Sequence, residues 1–275
     1  MTDQTHISQS NIFFSCTEKK ELVAEHFIPE HLLIHVHSGK IIVQEADKTY
    51  TINEGESMLF ARNQLAKFTK LPVDGIPFKS VTIFFSQSHL QKYFSTNTTT
   101  EHSDKLLITK HLNKHPLLTS LFNSILPYYE LPEDLSEDLT ELKLTEAITI
   151  LRKIDKSSEA ILGDFGEPGK IDIADFMQKN YAFNISIERF AYLTGRSLAT
   201  FKRDFQKVFG IPPKKWLHQK RLEQAHFLIA QKKQKPSDVY LEVGFENLSH
   251  FSFAFKQAFG YNASGLLMSH STNHL

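Results

Sequence analysis

A single cysteine, Cys16, stands among 275 residues, so no disulfide can form within the chain, and nothing in its thiol content points to an oxidising compartment. The segment from Met1 to Asn11 is polar and holds no apolar h-region, which speaks against a secretory signal. No apolar run approaches the roughly 18 residues of an ordinary membrane span. No Ser-His-Asp order, phosphate-cradling loop or Cys-His cluster is present. These absences lead to the expectation of a cytoplasmic protein with no membrane association, no cofactor and no catalytic residues.

Net charge is missing too, with 31 Lys and Arg against 31 Asp and Glu, but the zero conceals a split. From Lys170 onward there are fifteen basic and eight acidic residues, and before it sixteen basic and twenty-three acidic. A basic C-terminal module on an acidic body fits a nucleic-acid-binding domain joined to something else. Chance asymmetry would look the same on composition alone. The length suggests two domains with a core each.

What is present, and present twice, is a helical pattern between Ser186 and Gly260. Phe201, Phe205, Phe209 and Gly210 recur fifty positions on as Phe251, Phe255, Phe259 and Gly260. Phenylalanines at i, i+4 and i+8 share one helix face, and a glycine just beyond them is a stop. Each such helix follows a shorter one ending in glycine: Ile187, Phe190, Ala191 and Leu193 before Gly195, then Val239, Tyr240 and Val243 before Gly244. Short helix, glycine turn and longer helix make a helix-turn-helix, used twice. Between the copies, Pro213 to Ala230 opens on proline and reads as one linker helix, about 27 Å long at 1.5 Å per residue.

The stretch GRSLATFKRDFQKVFGIPPKKWLHQKRLEQAHFLI, followed by VGFENLSHFSFAFKQAFG, resembles the DNA-binding region of the AraC/XylS family of bacterial transcription regulators. The family pattern is matched at Gly195, Ser197, Phe201, Phe205, Gly210, Pro213, Trp216, Arg221, Leu222 and Ala225. In the second unit it is matched at Gly244, Phe245, Phe251, Phe255, Lys256 and Gly260. Three positions depart from it. Tyr240 stands where the family has Ala, Phe253 where it has a basic residue, and Ala263 where it has Pro, which leaves the fold intact and opens the question of the second unit's DNA contacts.

From Ile12 to Phe85 the chain reads as short strands, the clearest being 22–28, 32–37, 40–44, 49–52, 57–60 and 78–85, separated by turns such as Ser38-Gly39 and Asn53-Glu54-Gly55. That spacing predicts an antiparallel barrel or sandwich. The run HVHSGKIIVQEADKTYTINEGESMLFARN is similar to the cupin-like sensor domain that often precedes this DNA-binding region. Alternation along a strand would let His35 and His37 point into the barrel together, as metal-binding cupins require. No carboxylate follows between Ser38 and Gln44, and neutral or surface-facing histidines are the commoner outcome, so no metal is expected.

Ser95 to Ser103 reads as a Thr-rich loop. His115 to Tyr129 and Ser136 to Lys156 read as helices joined by the acidic turn ELPEDLSED. Leu139, Leu142, Thr145, Ala147, Ile150, Leu151 and Ile154 give the second an apolar stripe. The resemblance implies a dimer contact here, carried by Leu142, Ile150 and Leu151, while a stripe covering its own sheet is the alternative. GDFGEPGK, Gly163 to Lys170, reads as a linker, Asp172 as the N-cap of a first helix with Ile173, Phe176, Met177 and Tyr181, and SHSTNHL as a frayed tail. The expected fold class is α+β, with a cupin-like regulatory domain over 1–162 (helical dimerisation segment about 111–160), a linker over 163–170 and a double helix-turn-helix domain over 171–275.

With the phenylalanines inside, the first long helix turns Ala199, Thr200, Arg203, Gln206 and Lys207 outward with Lys202 beside them, and the second turns out Ser249, His250, Phe253 and Gln257, flanked by Ser252 and Lys256. The N-terminal half of a recognition helix reaches base edges. Phe253 suits a thymine methyl, and equally a contact with the sensor domain or another subunit. Lys214, Lys215, Lys220, Arg221, Lys232 and Lys233 are phosphate candidates, with Arg221 expected to be buried against an acid. The resemblance implies a sequence-specific transcription regulator, an activator as most of the family are. Its partners would be double-stranded DNA, RNA polymerase, a small-molecule or protein effector on the N-terminal domain, and a second copy in a homodimer. The rival reading is a cupin-type metalloenzyme fused to a DNA-binding module.

Overall fold

Residues 11–23, 27–96, 109–130 and 136–268 are described in the computed structural model. The polar N-terminus, most of the Thr-rich stretch, the centre of the acidic turn and the final tail lie outside them. The chain divides into two units, Met1–Gly166 and Glu167–Leu275.

In chain order the first unit holds β1 (Ile12–Thr17), β2 (Glu21–Leu22), β3 (Phe27–Ile28), β4 (His31–Ser38), β5 (Lys40–Gln44), β6 (Thr49–Asn53), β7 (Ser57–Phe60), β8 (Gln64–Leu65), β9 (Lys67–Leu71) and β10 (Phe78–Phe85). Then come α1 (Gln87–Thr96), β11 (Thr109–Leu112), α2 (Pro116–Ile125) running into a 3-10 turn, α3 (Glu137–Ile154) and α4 (Ser157–Leu162). A five-stranded sheet in the order β1-β10-β4-β7-β11 faces a four-stranded one, β2-β9-β5-β6, with β3 and β8 paired separately. All described strand pairs are antiparallel.

Strand β4 is buried on both faces, and its parity sorts two cores. Leu32, Ile34 and Val36 join Ile41, Val43, Ile52, Met58, Phe60 and Phe78 between the sheets. Leu33 looks the other way, into a second core with Leu118, Leu121, Phe122, Leu144, Ile148 and Leu151 from the helices. His35 follows Leu33 and stacks on Phe122 with centroids 4.3 Å apart and planes at 6°. The two histidines therefore do not point together into the barrel: the aliphatic even positions fill it, and His37, at the strand's end, is exposed. Among the described residues no three His, Cys, Asp or Glu side chains cluster as metal ligands would.

Two other expectations are corrected. The segment read as a single strand over 22–28 is split between sheets, because Glu21 and Leu22 pair with β9 and Phe27 and Ile28 with β8. The inner face of α3 is Thr140, Leu144, Ala147, Ile148 and Leu151, while Leu139 and Leu142 are exposed. Ile150 and Leu151 are buried in their own unit, so they are not available to a dimer contact.

The second unit is all helix: α5 (Ile173–Asn180), α6 (Ile187–Leu193), α7 (Leu198–Phe209), α8 (Pro213–Ala230), α9 (Pro236–Glu242), α10 (Leu248–Phe259) and α11 (Gly265–Met268). Helix α8 is shared between two cores. Its Trp216 and Leu217 pack with Phe190, Phe201 and Phe205, whereas Leu222, Ala225, Leu228 and Ile229 pack with Val239, Phe251 and Phe255. An antiparallel β unit with helices followed by an all-α unit with two helix-turn-helix copies on one linker helix is the α+β class read from the sequence.

Candidate nucleic-acid interface

Both helix-turn-helix copies are assembled by the same local chemistry. Ser197 caps α7 by accepting from the Thr200 N–H at 3.3 Å, and Asn247 caps α10 by accepting from the His250 N–H at 2.7 Å. Each turn needs a glycine for two reasons at once. Gly195 (φ +64°) and Gly244 (φ +91°) are left-handed, and a Cβ would lie 2.4 Å from the Gly169 carbonyl carbon in the first and 2.8 Å from the Ala182 oxygen in the second.

Phe201 and Phe205 are buried beneath α7, and Phe209 closes against Trp216 at 4.6 Å. Phe251 and Phe255 do the same under α10. With those faces fixed, Ala199, Lys202, Arg203 and Lys207 are exposed on α7, and Thr200 is half-buried, its hydroxyl accepting from Ser197 Oγ at 3.0 Å. On α10, Ser249, His250, Ser252, Phe253 and Lys256 are all exposed. Lys202 and His250 line one groove between the two copies, floored by α8 and edged by Lys214 and Lys215. Ala199, Thr200, Arg203, Lys207, Ser249, Ser252, Phe253 and Lys256 lie outside that groove.

Arg221 joins the copies from within. Its Nε donates to the Tyr181 carbonyl at 2.9 Å, Nη1 to Gly244 at 2.9 Å and Nη2 to Phe183 at 2.8 Å. Burial lowers its pKa to about 10, still well above neutrality. Its hydrogen bonds go to three main-chain carbonyls, which carry no sequence signature, and the acid expected near it is Glu246, whose charge acts against the lowering. That set of bonds occupies the guanidinium and removes Arg221 from the phosphate candidates. Two residues that sequence reasoning passed over also shape the site. Arg196 donates to Thr194 and Ile171 carbonyls at 2.6 and 2.8 Å and meets Asp204, holding the turn before α7. His218, on α8, has its pKa lowered by burial and by the neighbouring His250 and Arg221, and it backs the start of α10.

Residues 190–267 match the family model described as a helix-turn-helix domain, and residues 31–161 match the ExsA N-terminal regulatory domain. The chain belongs to the AraC/XylS family. Among the family's curated members, the virulence regulon transcriptional activator VirF of Yersinia enterocolitica is 27% identical over 237 residues, covering 82% of this chain and 84% of that protein. ExsA of Pseudomonas aeruginosa is 24% identical over 231 residues, covering 82% of each chain. A crystal structure of apo ToxT from Vibrio cholerae is similar over 96% of this chain and 99% of that one, at a TM-score of 0.48 and 13% identity. As an AraC/XylS member this is a DNA-binding transcription regulator with an N-terminal regulatory domain. No helix among the described residues is long and apolar enough to cross a membrane.

Proposed function

We propose that this chain activates transcription by seating α7 and α10 in two adjacent major-groove segments, under control of its N-terminal unit. The observation that supports it best is the paired construction on α8, with a cationic outer face on α7 made by Lys202, Arg203 and Lys207. Arg203 can meet guanine O6 and N7 with two donors, and Ala199 and Thr200 lie a turn nearer the helix start, where base edges come close. Lys207, Lys214 and Lys215 supply phosphate contacts. On α10, Ser249, His250, Ser252 and Phe253 face the second segment and Lys256 a phosphate.

Activation brings RNA polymerase in as partner, in the cytoplasm; the similar VirF is a transcriptional activator. The N-terminal unit receives the signal, from a small molecule or a protein. A second copy docks on α3 through Leu139 and Leu142, the two leucines left exposed there. Genome-wide mapping of bound DNA, followed by titration of a mapped site, tests the central claim. The expected result is a short recurring sequence whose binding Arg203→Ala weakens; sequence-independent binding that the substitution leaves unchanged would sink it.

A further inference from the structure

Helices α7 and α10 are each 12 residues long, with a side-chain N-cap and a left-handed glycine stop, and the sixth residue of each has the same spacing from its buried phenylalanines. In α7 that residue is Arg203, with a side chain 66% exposed; in α10 it is Phe253, 69% exposed. Ser249 lies one turn before Phe253 and Ser252 beside it, both small and uncharged. The His250 ring leans back, 5.6 Å from Phe245 and 6.3 Å from His218. Phe253 stacks on no other ring among the described residues, so it is the large group this face presents. A face of this chemistry has no forked donor for guanine. It can cover an apolar group, and the apolar group that bases offer in the major groove is the thymine C5 methyl.

We infer that Phe253 is a specificity-determining residue that packs on a thymine methyl in the DNA segment facing α10, where Arg203 reads guanine in the segment facing α7. This rests on the reading that α10 enters the major groove. The two segments would then be told apart by opposite chemistries set on one helical frame. Lys256, a turn further along, supplies the phosphate contact that keeps the phenyl ring against the base edge.

Deoxyuridine pairs as thymine does and lacks only the methyl, so it isolates this contact. Hydroxyl-radical footprinting with the full-length chain defines the protected segments on a mapped site. The α7 segment is the one containing the guanine whose replacement no longer matters to Arg203→Ala. Each thymine is then replaced singly by deoxyuridine. At one or two thymines of the α10 segment binding should weaken about fourfold, the equilibrium equivalent of one buried methyl. Phe253→Ala should bind the thymine and uracil versions alike, whereas Arg203→Ala should keep the fourfold ratio. Phe253→Arg should also lose the ratio and gain preference for guanine there. If both segments are protected but no thymine is sensitive, or the ratio persists in Phe253→Ala, the methyl contact is wrong and the groove reading stands. Protection of the α7 segment alone overturns both. A change in sedimentation of Phe253→Ala with unchanged ratios assigns the ring to a second copy and also overturns the inference.

Discussion

The Arg221 guanidinium is a buried cation held by neutral acceptors, and that arrangement sets what its loss would do. The Tyr181 carbonyl, in the loop after α5, and the Gly244 carbonyl, in the turn before α10, would lose this donor, while the Phe183 carbonyl would keep the Ile185 N–H at 3.1 Å. Hydrogen bonds from a charged group contribute about 1.5–3 kcal/mol apiece and do not add, so Arg221→Ala should destabilise the helical unit by about 3 kcal/mol. Arg221→Lys should recover less than half of this, because an ammonium cannot reach three divergent carbonyls. Urea unfolding followed by Trp216 fluorescence measures both. At the same scale the N-terminal unit carries two histidines whose burial sets a pH dependence. His31 accepts from the Arg62 N–H at Nδ1 and so donates from Nε2 to the Asp164 carbonyl, while His35 lies 2.8 Å from Ser57 Oγ and against Phe122. Burial lowers both pKa values to about 4 from an unfolded value of 6.5. A depressed pKa means the stabilisation is complete above about pH 6.5, declines as pH falls toward 4, and changes no further below it, at up to about 3 kcal/mol each. Chemical denaturation between pH 7.5 and 4 should show that decline, and His35→Gln should flatten it. The burial of Arg221 was legible in the sequence, but its carbonyl partners were not, since they have no residue signature, and the histidine roles were not, since parity along β4 is known only once the barrel's filling is known.

At the scale of elements, α7 and α10 should contribute unequally to binding. Charge-assisted hydrogen bonds are roughly twice as strong as neutral ones, and α7 presents three cations where α10 presents one. Arg203→Ala should cost about 1–3 kcal/mol and relax preference at one base, while Ser249→Ala and His250→Ala should each cost less on the same site. Titrations at two salt concentrations compare them, and equal or larger losses from the α10 changes would reverse the assignment. These helices were readable because glycine stops, caps and a phenylalanine every fourth position agree with one another, so that α8 runs from Pro213 to Ala230 as the sequence indicates. Helix α3 was harder. Its inner row begins at polar Thr140, and the outward Leu139 and Leu142 imitate a stripe one step out of phase. Helix α1 was not singled out at all, since Leu90 is its one buried residue. The exposed pair on α3 carries the homodimer proposal: Leu142→Glu should shift sedimentation from dimer to monomer without loss of the barrel's folding, and a wild type monomeric at high micromolar concentration would end it.

At the scale of the whole molecule, the division of charge and the division of contacts fall at nearly the same place. The basic excess begins at Lys170, and the second unit begins at Glu167. The few residues between them are part of the helical unit's structure. The Tyr192 hydroxyl donates to Glu167 at 2.6 Å, the main chain at Gly169 and Lys170 fills the space beside Gly195, and Arg196 donates to the Ile171 carbonyl. A fragment from Glu167 to Leu275 keeps all three, together with both aromatic cores, and should unfold cooperatively and bind a mapped site unaided. A fragment starting at Asp172 loses them and should be less stable, with a looser turn ahead of α7 and weaker binding. Since each neutralised phosphate steepens the salt dependence by about 0.9, and the basic residues of the proposed interface are in the longer fragment, its slope of log K against log salt should match that of the full chain. A slope shallower by one or more would mean that the N-terminal unit also touches DNA, and a Glu167 fragment without a cooperative transition would mean that the helical unit leans on the first for its stability.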